Sequence, residues 1–266
     1  MTKILIGRIG TIRICLAAVL LFFASTTSSS QSTVQLTIKD KSRPLKEAAD
    51  QLAHQHAWLI SYEDKGYEYP GDMEYHASNP PDANGNSRPA NFRPRIGPRR
   101  GSLSITYSRI ATPNEVLHQL VRAYQVTDGT VFDLKQIGKR FVVYPAKIRG
   151  KSGKLVPQVP LLSRRININE MDRDGDEFLR EICKALSDIT GRKVMIGTGP
   201  HLWGYRTRLS AINEPARDVL VRFLDSIGLN REIWHLNEDP IEHFYFLNFD
   251  YIAPEPEPGN VAASVK

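Results

Sequence analysis

Cysteine is scarce in this chain of 266 residues, which contains only Cys15 and Cys183. Cys15 lies in an apolar run near the N-terminus, so removal of that segment would leave Cys183 alone. A single cysteine cannot form an intrachain disulfide, and the fold must therefore depend on the burial of apolar side chains. Cys183 stands between Ile182 and Leu186 on a helical stripe, which predicts a small core residue and not a nucleophile.

The usual motifs of catalytic and cofactor sites are also missing. The sequence has neither a His-Glu-x-x-His zinc motif nor a Gly-x-Ser-x-Gly elbow. Residues 197–200 lack the third glycine of a dinucleotide site and the Lys-Ser/Thr of a phosphate loop. Residues 172–176 do not fit a calcium loop and instead predict a turn and helix cap. The sequence therefore assigns no catalytic residue, no metal and no cofactor, and we expect a protein that is not an enzyme.

Acidic pairs and histidines do not predict a site either. The acidic pairs at residues 63–64 and 238–239 fall in predicted turns, where acids are common without catalysis. His235 and His243 are placed to meet across a closing hairpin, and we interpret them as a cross-strand surface contact.

Excess charge is small once the N-terminal segment is set aside. The whole chain carries +6, from 35 Lys and Arg and 29 Asp and Glu. Residues 1–30 contain three basic residues and no acidic ones, which leaves +3 for the remainder. A balance this mild does not indicate nucleic acid as a partner.

Residues 1–30 have the pattern of a signal peptide. Lys3, Arg8 and Arg13 form a basic start, an apolar run follows at residues 14–24, and small polar residues come next. The run is shorter than the ~20 residues of a membrane-spanning helix. We therefore expect an exported protein, periplasmic or secreted, with no transmembrane segment in the mature chain. An uncleaved anchor is the alternative.

The remainder predicts two halves with the same order of elements, of which the second is the more compact. Its first helix is an apolar stripe that ends at Gly191. Its second helix is predicted to start with Asn213 as cap and Pro215 in the first turn, and to end at Gly228. Its predicted strands are residues 165–169, 193–197, 207–212, 232–236 and 242–249.

The first half shows the same pattern. Pro44 opens a helix with a stripe from Leu45 to Ala53, and Thr112 with Glu115 forms a capping box before the next helix. The strands predicted around these helices are residues 58–62, 103–107, 131–134 and 141–144.

The spacing of equivalent residues supports a duplication with an insertion. Leu45 precedes Leu179 by 134 residues, whereas Leu117 precedes Leu220 by 103. The difference places about 31 extra residues in the first half, where Pro, Gly, Asn and Arg are concentrated. Two helices packed on a small mixed sheet in each half predict an α+β fold of two tandem βαββαββ sandwiches. The alternative is an α+β protein without duplication.

The predicted domain boundaries follow from composition and pattern. Glycine and proline mark a linker, and alternating Pro and Glu mark an extended tail. The boundaries are a signal peptide at 1–30, a first domain at 31–148 with a loop insertion at 65–100, a linker at 149–163, a second domain at 164–252 and a disordered tail at 253–266.

Part of this pattern resembles a known family. The first helix, with Ala-x-x-Leu-Ala spacing up to Ala53, and the following strand that ends in Tyr62 are similar to the short N-terminal domain of secretins and TonB-dependent receptors. The segments at 57–64 and 213–220 and the aromatic closing hairpin resemble an uncharacterised family of exported bacterial proteins. The resemblance implies a fold and a role in protein contact ahead of a pore or barrel. It implies no site residues, and nothing after Phe249 resembles a pore.

Two loops contain the candidate binding residues. Trp203 and Tyr205 place aromatic rings in a turn, either as a contact site or as a plug that closes the core. The loop at 88–100 is rich in arginine, which predicts contact with an anionic surface unless these side chains pair with nearby acids. The candidates in this loop are Arg93, Arg95, Arg99 and Arg100.

Three functions remain open. The leading hypothesis is an exported, non-catalytic module that binds an envelope protein through sheet edges or loops. The second is a periplasmic small-molecule or glycan-binding protein with a site between the halves. The third is a hydrolase with an unrecognised site.

Overall fold

The computed structural model describes residues 32–76, 95–199, 202 and 204–254. The predicted signal peptide lies outside these residues, as do most of the predicted tail and the centre of the predicted insertion. From Thr33 onward the chain forms one compact unit.

Each half of the described chain contains two helices and a similar set of strands. The first half consists of β1 (Thr33–Lys41), α1 (Pro44–His56), β2 (Leu59–Glu63), β3 (Met73–His76), β4 (Arg95–Pro98), β5 (Gly101–Ser108), α2 (Pro113–Asp128), β6 (Val131–Ile137) and β7 (Arg140–Arg149). After β8 (Leu155–Pro157), the second half consists of β9 (Arg165–Ile168), β10 (Arg173–Asp174), α3 (Gly175–Thr190), β11 (Val194–Ile196), β12 (Arg206–Thr207), β13 (Ala211–Pro215), α4 (Ala216–Ser226), β14 (Glu232–Asp239) and β15 (Phe244–Tyr251).

Local side-chain chemistry sets most helix ends. Thr112 and Glu115 form the expected capping box at α2, and Asp174 forms one at α3, as the turn-and-cap interpretation predicted. Gly191 ends α3 in the left-handed conformation. The prediction of Asn213 as cap of α4 is wrong: the helix begins at Ala216 without a side-chain cap, and Asn213 lies in β13 at a φ of 52°.

The strands pair in the same way in both halves. In the first half β1 pairs with β5, and β2 runs parallel to β7, which forms a hairpin with β6. In the second half β9 pairs with β13, and β11 runs parallel to β15, which forms a hairpin with β14.

The larger sheets of the two halves are joined into one. The strand order is β11-β15-β14-β2-β7-β6, and β8 also pairs with β7. The junction is a parallel pairing of β14 with β2. The predicted α+β class is confirmed, but the structure does not show a separate central sheet for each half.

Two cores lie on opposite faces of this joined sheet. Ile60, Tyr62 and Val143 belong to the core beneath α1 and α2, whereas Val142 and Leu236 belong to the core beneath α3 and α4. Neighbouring strand residues point to opposite faces, so the central strands are covered on both sides. All five residues of β2 are accordingly buried.

The predicted insertion and linker are both attached to the fold. In the insertion, β3 pairs with β4, and Lys65, Tyr67 and Asp72 are buried. In the linker, β8 extends the edge of β7, and Leu162 is fully buried in the second core. None of the helices in the described part of the chain is both long and apolar enough to cross a membrane.

Candidate functional site

The junction of the two halves is the most polar part of the interior. His235 lies beside Tyr62, and Leu236 lies beside Glu63. The amide of Asp64 donates to the carbonyl of Leu236 at 2.8 Å. This strand pairing brings several buried charged side chains from distant parts of the sequence together.

A buried ion pair crosses the junction. Nε of Arg217, at the start of α4, lies 2.6 Å from Oε1 of Glu63, and both side chains are at most 4% exposed. The guanidinium also lies over the ring of Tyr144, 4.5 Å from its centroid. Burial raises the pKa of Glu63, and Arg217 opposes that shift. The pair therefore ties α4 of the second half to β2 of the first.

Asp64 is a buried acceptor that links both halves. Its Oδ1 accepts from the hydroxyls of Tyr62 at 3.1 Å and Tyr67 at 3.0 Å. Its Oδ2 accepts from Nε of Arg43 at 2.6 Å and from the amide of Glu238 at 3.2 Å. Burial and the Asp64 carboxylate raise the pKa of both tyrosines, which keeps them protonated as donors.

Glu238 is the corresponding carboxylate on β14. Its Oε2 accepts from the Tyr245 hydroxyl at 3.1 Å, and its Oε1 lies 3.4 Å from Nη1 of Arg192. Nδ1 of His243 is also 3.4 Å from Oε1. Burial raises the pKa of Glu238, and Arg192 opposes the shift. Both carboxylate oxygens are thus engaged within the fold.

A third group of charges anchors the insertion. Nζ of Lys65 lies 2.9 Å from Asp128 and 3.3 Å from Asp72, and it donates to the Thr130 hydroxyl at 3.1 Å. Arg149 pairs with Asp72 from the other side. These contacts fix the first residues of the insertion against α2 and β7.

The expectation that the acidic pairs lie in solvated turns is wrong. Glu63, Asp64 and Glu238 are at most 3% exposed, because each has a cation or hydrogen-bond donors that balance its burial. The expected contact of His235 with His243 is also wrong. His235 is buried beside Asp50, with Nε2 3.4 Å from Oδ1, whereas His243 contacts Glu238.

A groove of about 780 Å³ lies over one end of the junction. Both halves contribute to its walls, and the walls carry charges of both signs. Arg43 and Arg100 come from the first half, and Glu238, Asp239, Glu242 and Phe246 come from the second. It is the place in the described structure where a small ligand can touch both halves.

The structure separates the predicted binding residues. Arg99 and Arg100 border a smaller groove of about 270 Å³, where Nη1 of Arg100 lies 3.2 Å from Asp40. Arg93 and Trp203 lie outside the described residues, and Arg95 is described only as the first residue of β4. Tyr205 is 39% exposed, on a different part of the molecule.

The predicted aromatic plug is occupied instead by an aliphatic side chain. Leu202 is 1% exposed and belongs to the second core. Tyr205 contributes backbone contacts: its carbonyl accepts from the amide of Gly175 at 2.8 Å, and its amide donates to the carbonyl of Leu202.

A further groove, of about 490 Å³, runs along the open edge of β11. Its walls are α3 and the strand itself, with Arg180, Cys183, Lys184, Met195 and Ile196 among the lining residues. In the described part of the chain, β11 has a strand neighbour on one side only. The predicted role of Cys183 as a core residue is confirmed: the thiol is buried, and burial raises its pKa to about 12.

Comparisons of the chain with protein-family profiles, curated proteins and solved structures gave no significant match.

Proposed function

We propose that this chain is an exported, non-catalytic protein-contact module that binds an extended strand at the open edge of β11. The proposal includes two repeated βαββαββ units, similar to the short N-terminal domain of secretins and TonB-dependent receptors. The export part rests on the signal-like sequence of residues 1–30.

Identical strand registers support the repeated units. Ile60 lies beside Phe141 in the first half, and Val194 lies beside Tyr245 in the second. Val194 follows Ile60 by 134 residues, which is also the separation of Leu45 and Leu179 in the first helices. One shift therefore superimposes a helix and the strand that follows it.

The observation that carries the proposed function is a difference between these equivalent edges. The outer edge of β2 is covered by β14, whereas the outer edge of β11 is open in the described structure. Carbonyls and amides on an open edge can pair with an added strand, and the neighbouring groove can select its side chains.

The direction of the free backbone groups can be assigned. The carbonyl of Lys193 and the amide of Gly197 both bond to β15. Alternate residues of a strand direct these groups to opposite sides, so the amide of Ile196 points away from β15. Ile196→Pro therefore removes a donor from the open edge and leaves the bonds to β15 in place.

The test is photo-crosslinking from position 195 of the mature protein in an envelope extract of the source cells. We expect a discrete adduct that excess unlabelled protein displaces, that Ile196→Pro abolishes and that Ile196→Val retains. A probe at Val126, which is 87% exposed on α2, is the matched control. The proposal fails if position 195 yields no adduct, or the same adducts as position 126.

The groove over the junction favours a second function, as a small-molecule or glycan-binding protein. Its support is the presence of side chains from both halves around about 780 Å³. A thermal-shift screen of sugars and short peptides tests it. A true ligand raises the unfolding temperature of the wild type and has a smaller effect on Arg100→Gln, whereas the absence of any stabilising ligand argues against this function.

The hydrolase alternative gains little support from the polar cluster. Glu238 borders the groove, but Tyr245 and Arg192 already engage its two oxygens. This engagement favours a structural role for the carboxylate.

A further inference from the structure

The two ends of the joined sheet are different surfaces. One end is the outer edge of β6, from the first half, and the other is the outer edge of β11, from the second. Inside the chain, the equivalent of β6 is β14 and the equivalent of β11 is β2, and these two strands pair. We propose that β6 of one copy of this chain adds in parallel to β11 of a second copy, as β14 adds to β2 within the chain. This inference rests on the proposed function and names its partner.

The donor strand β6 matches β14 residue by residue. Leu134 lies opposite Val143 in the first hairpin, and Leu236 lies opposite Leu247 in the second. Asp133 therefore occupies in β6 the position that His235 occupies in β14. The next residue on the same face of β6, Lys135, is already paired with Asp218 at 3.1 Å.

The acceptor groove beside β11 matches the filled groove beside β2. The shift of 134 residues places Arg180 at the position of Lys46 and Lys184 at the position of Asp50. In the first half, His235 of β14 fills this position and contacts Asp50. In the second half, the same walls enclose the empty groove of about 490 Å³.

The charges of the two junctions are exchanged in a complementary way. Within the chain, a histidine on the added strand meets an aspartate on the helix at 3.4 Å. Between copies, the added strand would present Asp133 to the basic pair Arg180 and Lys184. All three side chains are exposed in the single chain, so each is available for the contact. Opposite charge at an interface favours the correct partner and register.

The geometry of this contact predicts its mode of assembly. The surface on one copy differs from the surface on the other, so the contact is heterologous. Each chain keeps one donor edge and one acceptor edge free, and association continues into a ring or an open chain.

The test is sedimentation of the mature chain, residues 31–266, over a concentration series at low ionic strength. We expect the weight-average mass to rise with concentration. Asp133→Lys and Lys184→Glu each place like charges at the junction and should weaken association at least about tenfold. Asp172→Lys makes the same charge change at an exposed pair with Arg206 and should leave the mass unchanged. Circular dichroism confirms that each variant is folded.

Restoration of the charge pair is the sharper measurement. The double variant Asp133→Lys/Lys184→Glu should associate again. An equimolar mixture of the two single variants should also associate, because each junction then joins unlike charges. Association of the single variants at the wild-type level, or failure of both restorations, overturns the proposed interface.

The outcome also separates this inference from the proposed function. A chain that stays monomeric at all concentrations overturns self-assembly. If position 195 still crosslinks to a different protein, the open edge of β11 is a contact site and only its occupant was wrong. If position 195 captures nothing, the proposed function fails as well.

Discussion

The buried pair of Glu63 and Arg217 gives the strongest test of the junction. Replacement of Arg217 by Met keeps an unbranched side chain in the site but removes the cation. Glu63 is 0% exposed and would keep its charge without a partner. We expect Arg217→Met to lower the free energy of unfolding at pH 8 by ~3–5 kcal/mol, the usual loss when one member of a buried pair is removed.

The loss should depend on pH in a defined direction. Burial already raises the pKa of Glu63 in the wild type, and without Arg217 the pKa rises further. A carboxyl whose pKa is raised on folding is most favourable to the folded state below its unfolded pKa, and this stability is lost as the pH rises through the folded pKa. The defect of Arg217→Met should therefore be larger at pH 8 than at pH 5.

Urea unfolding provides the measurement, with the fluorescence of fully buried Trp234 as the signal. The matched control is Arg222→Met, whose pair with Glu214 is also 2.6 Å long but exposed. The control should lose no more than ~1 kcal/mol. The double variant Glu63→Leu/Arg217→Met should recover most of the stability, because no unpaired charge remains. A loss in Arg217→Met no larger than in the control would refute the assigned role of this pair.

The remaining predictions concern cooperativity, acid sensitivity and thiol reactivity. Because one sheet joins both cores, Leu117→Ala and Leu220→Ala should each lower the midpoint of the same single urea transition, by ~2–5 kcal/mol in free energy, and two separated transitions would contradict this. Burial lowers the pKa of His235 to about 3 from 6.5, so its contribution to stability is present above pH 6.5 and falls as the pH decreases towards 3. The stability advantage of wild type over His235→Gln should therefore shrink by up to ~1.4 kcal/mol per pH unit below pH 6.5, as urea titrations can measure, and a constant difference would contradict the burial. Cys183 should react with a thiol reagent in urea but not in buffer, as followed by absorbance, because its pKa is raised to about 12 by burial.

The sequence predicted the helices and their order because their signals are local. The capping box at Thr112, the glycine at 191 and the apolar stripe around Leu179 lie within a few residues of the structure that they determine. Asn213 misled for the same reason. Its sequence fits a cap, but pairing of β13 with β9 extends the strand to Pro215 and moves the helix start to Ala216.

The junction could not be predicted in this way, because its contacts are distant in sequence. Glu63 looks like a turn residue until Arg217, 154 residues later, is placed beside it. The clearest signal available was the alternation of polar Ser61 and Glu63 with apolar neighbours in a strand. Such alternation predicts one solvated face, whereas here that face lies against the second core.

The two junctions of the proposed assembly must also reject each other's strands, and their charges account for this. If β6 added to β2, Asp133 would face Asp50, and two carboxylates at one buried position repel each other. If β14 added to β11, His235 would face Lys184 and lose its contact with Asp50. Each wrong pairing thus replaces a favourable contact by an unfavourable one, which is how related interfaces discriminate between similar strands. On this reasoning, the histidine and aspartate at equivalent positions of β14 and β6 direct one strand to the fold and the other to a second chain.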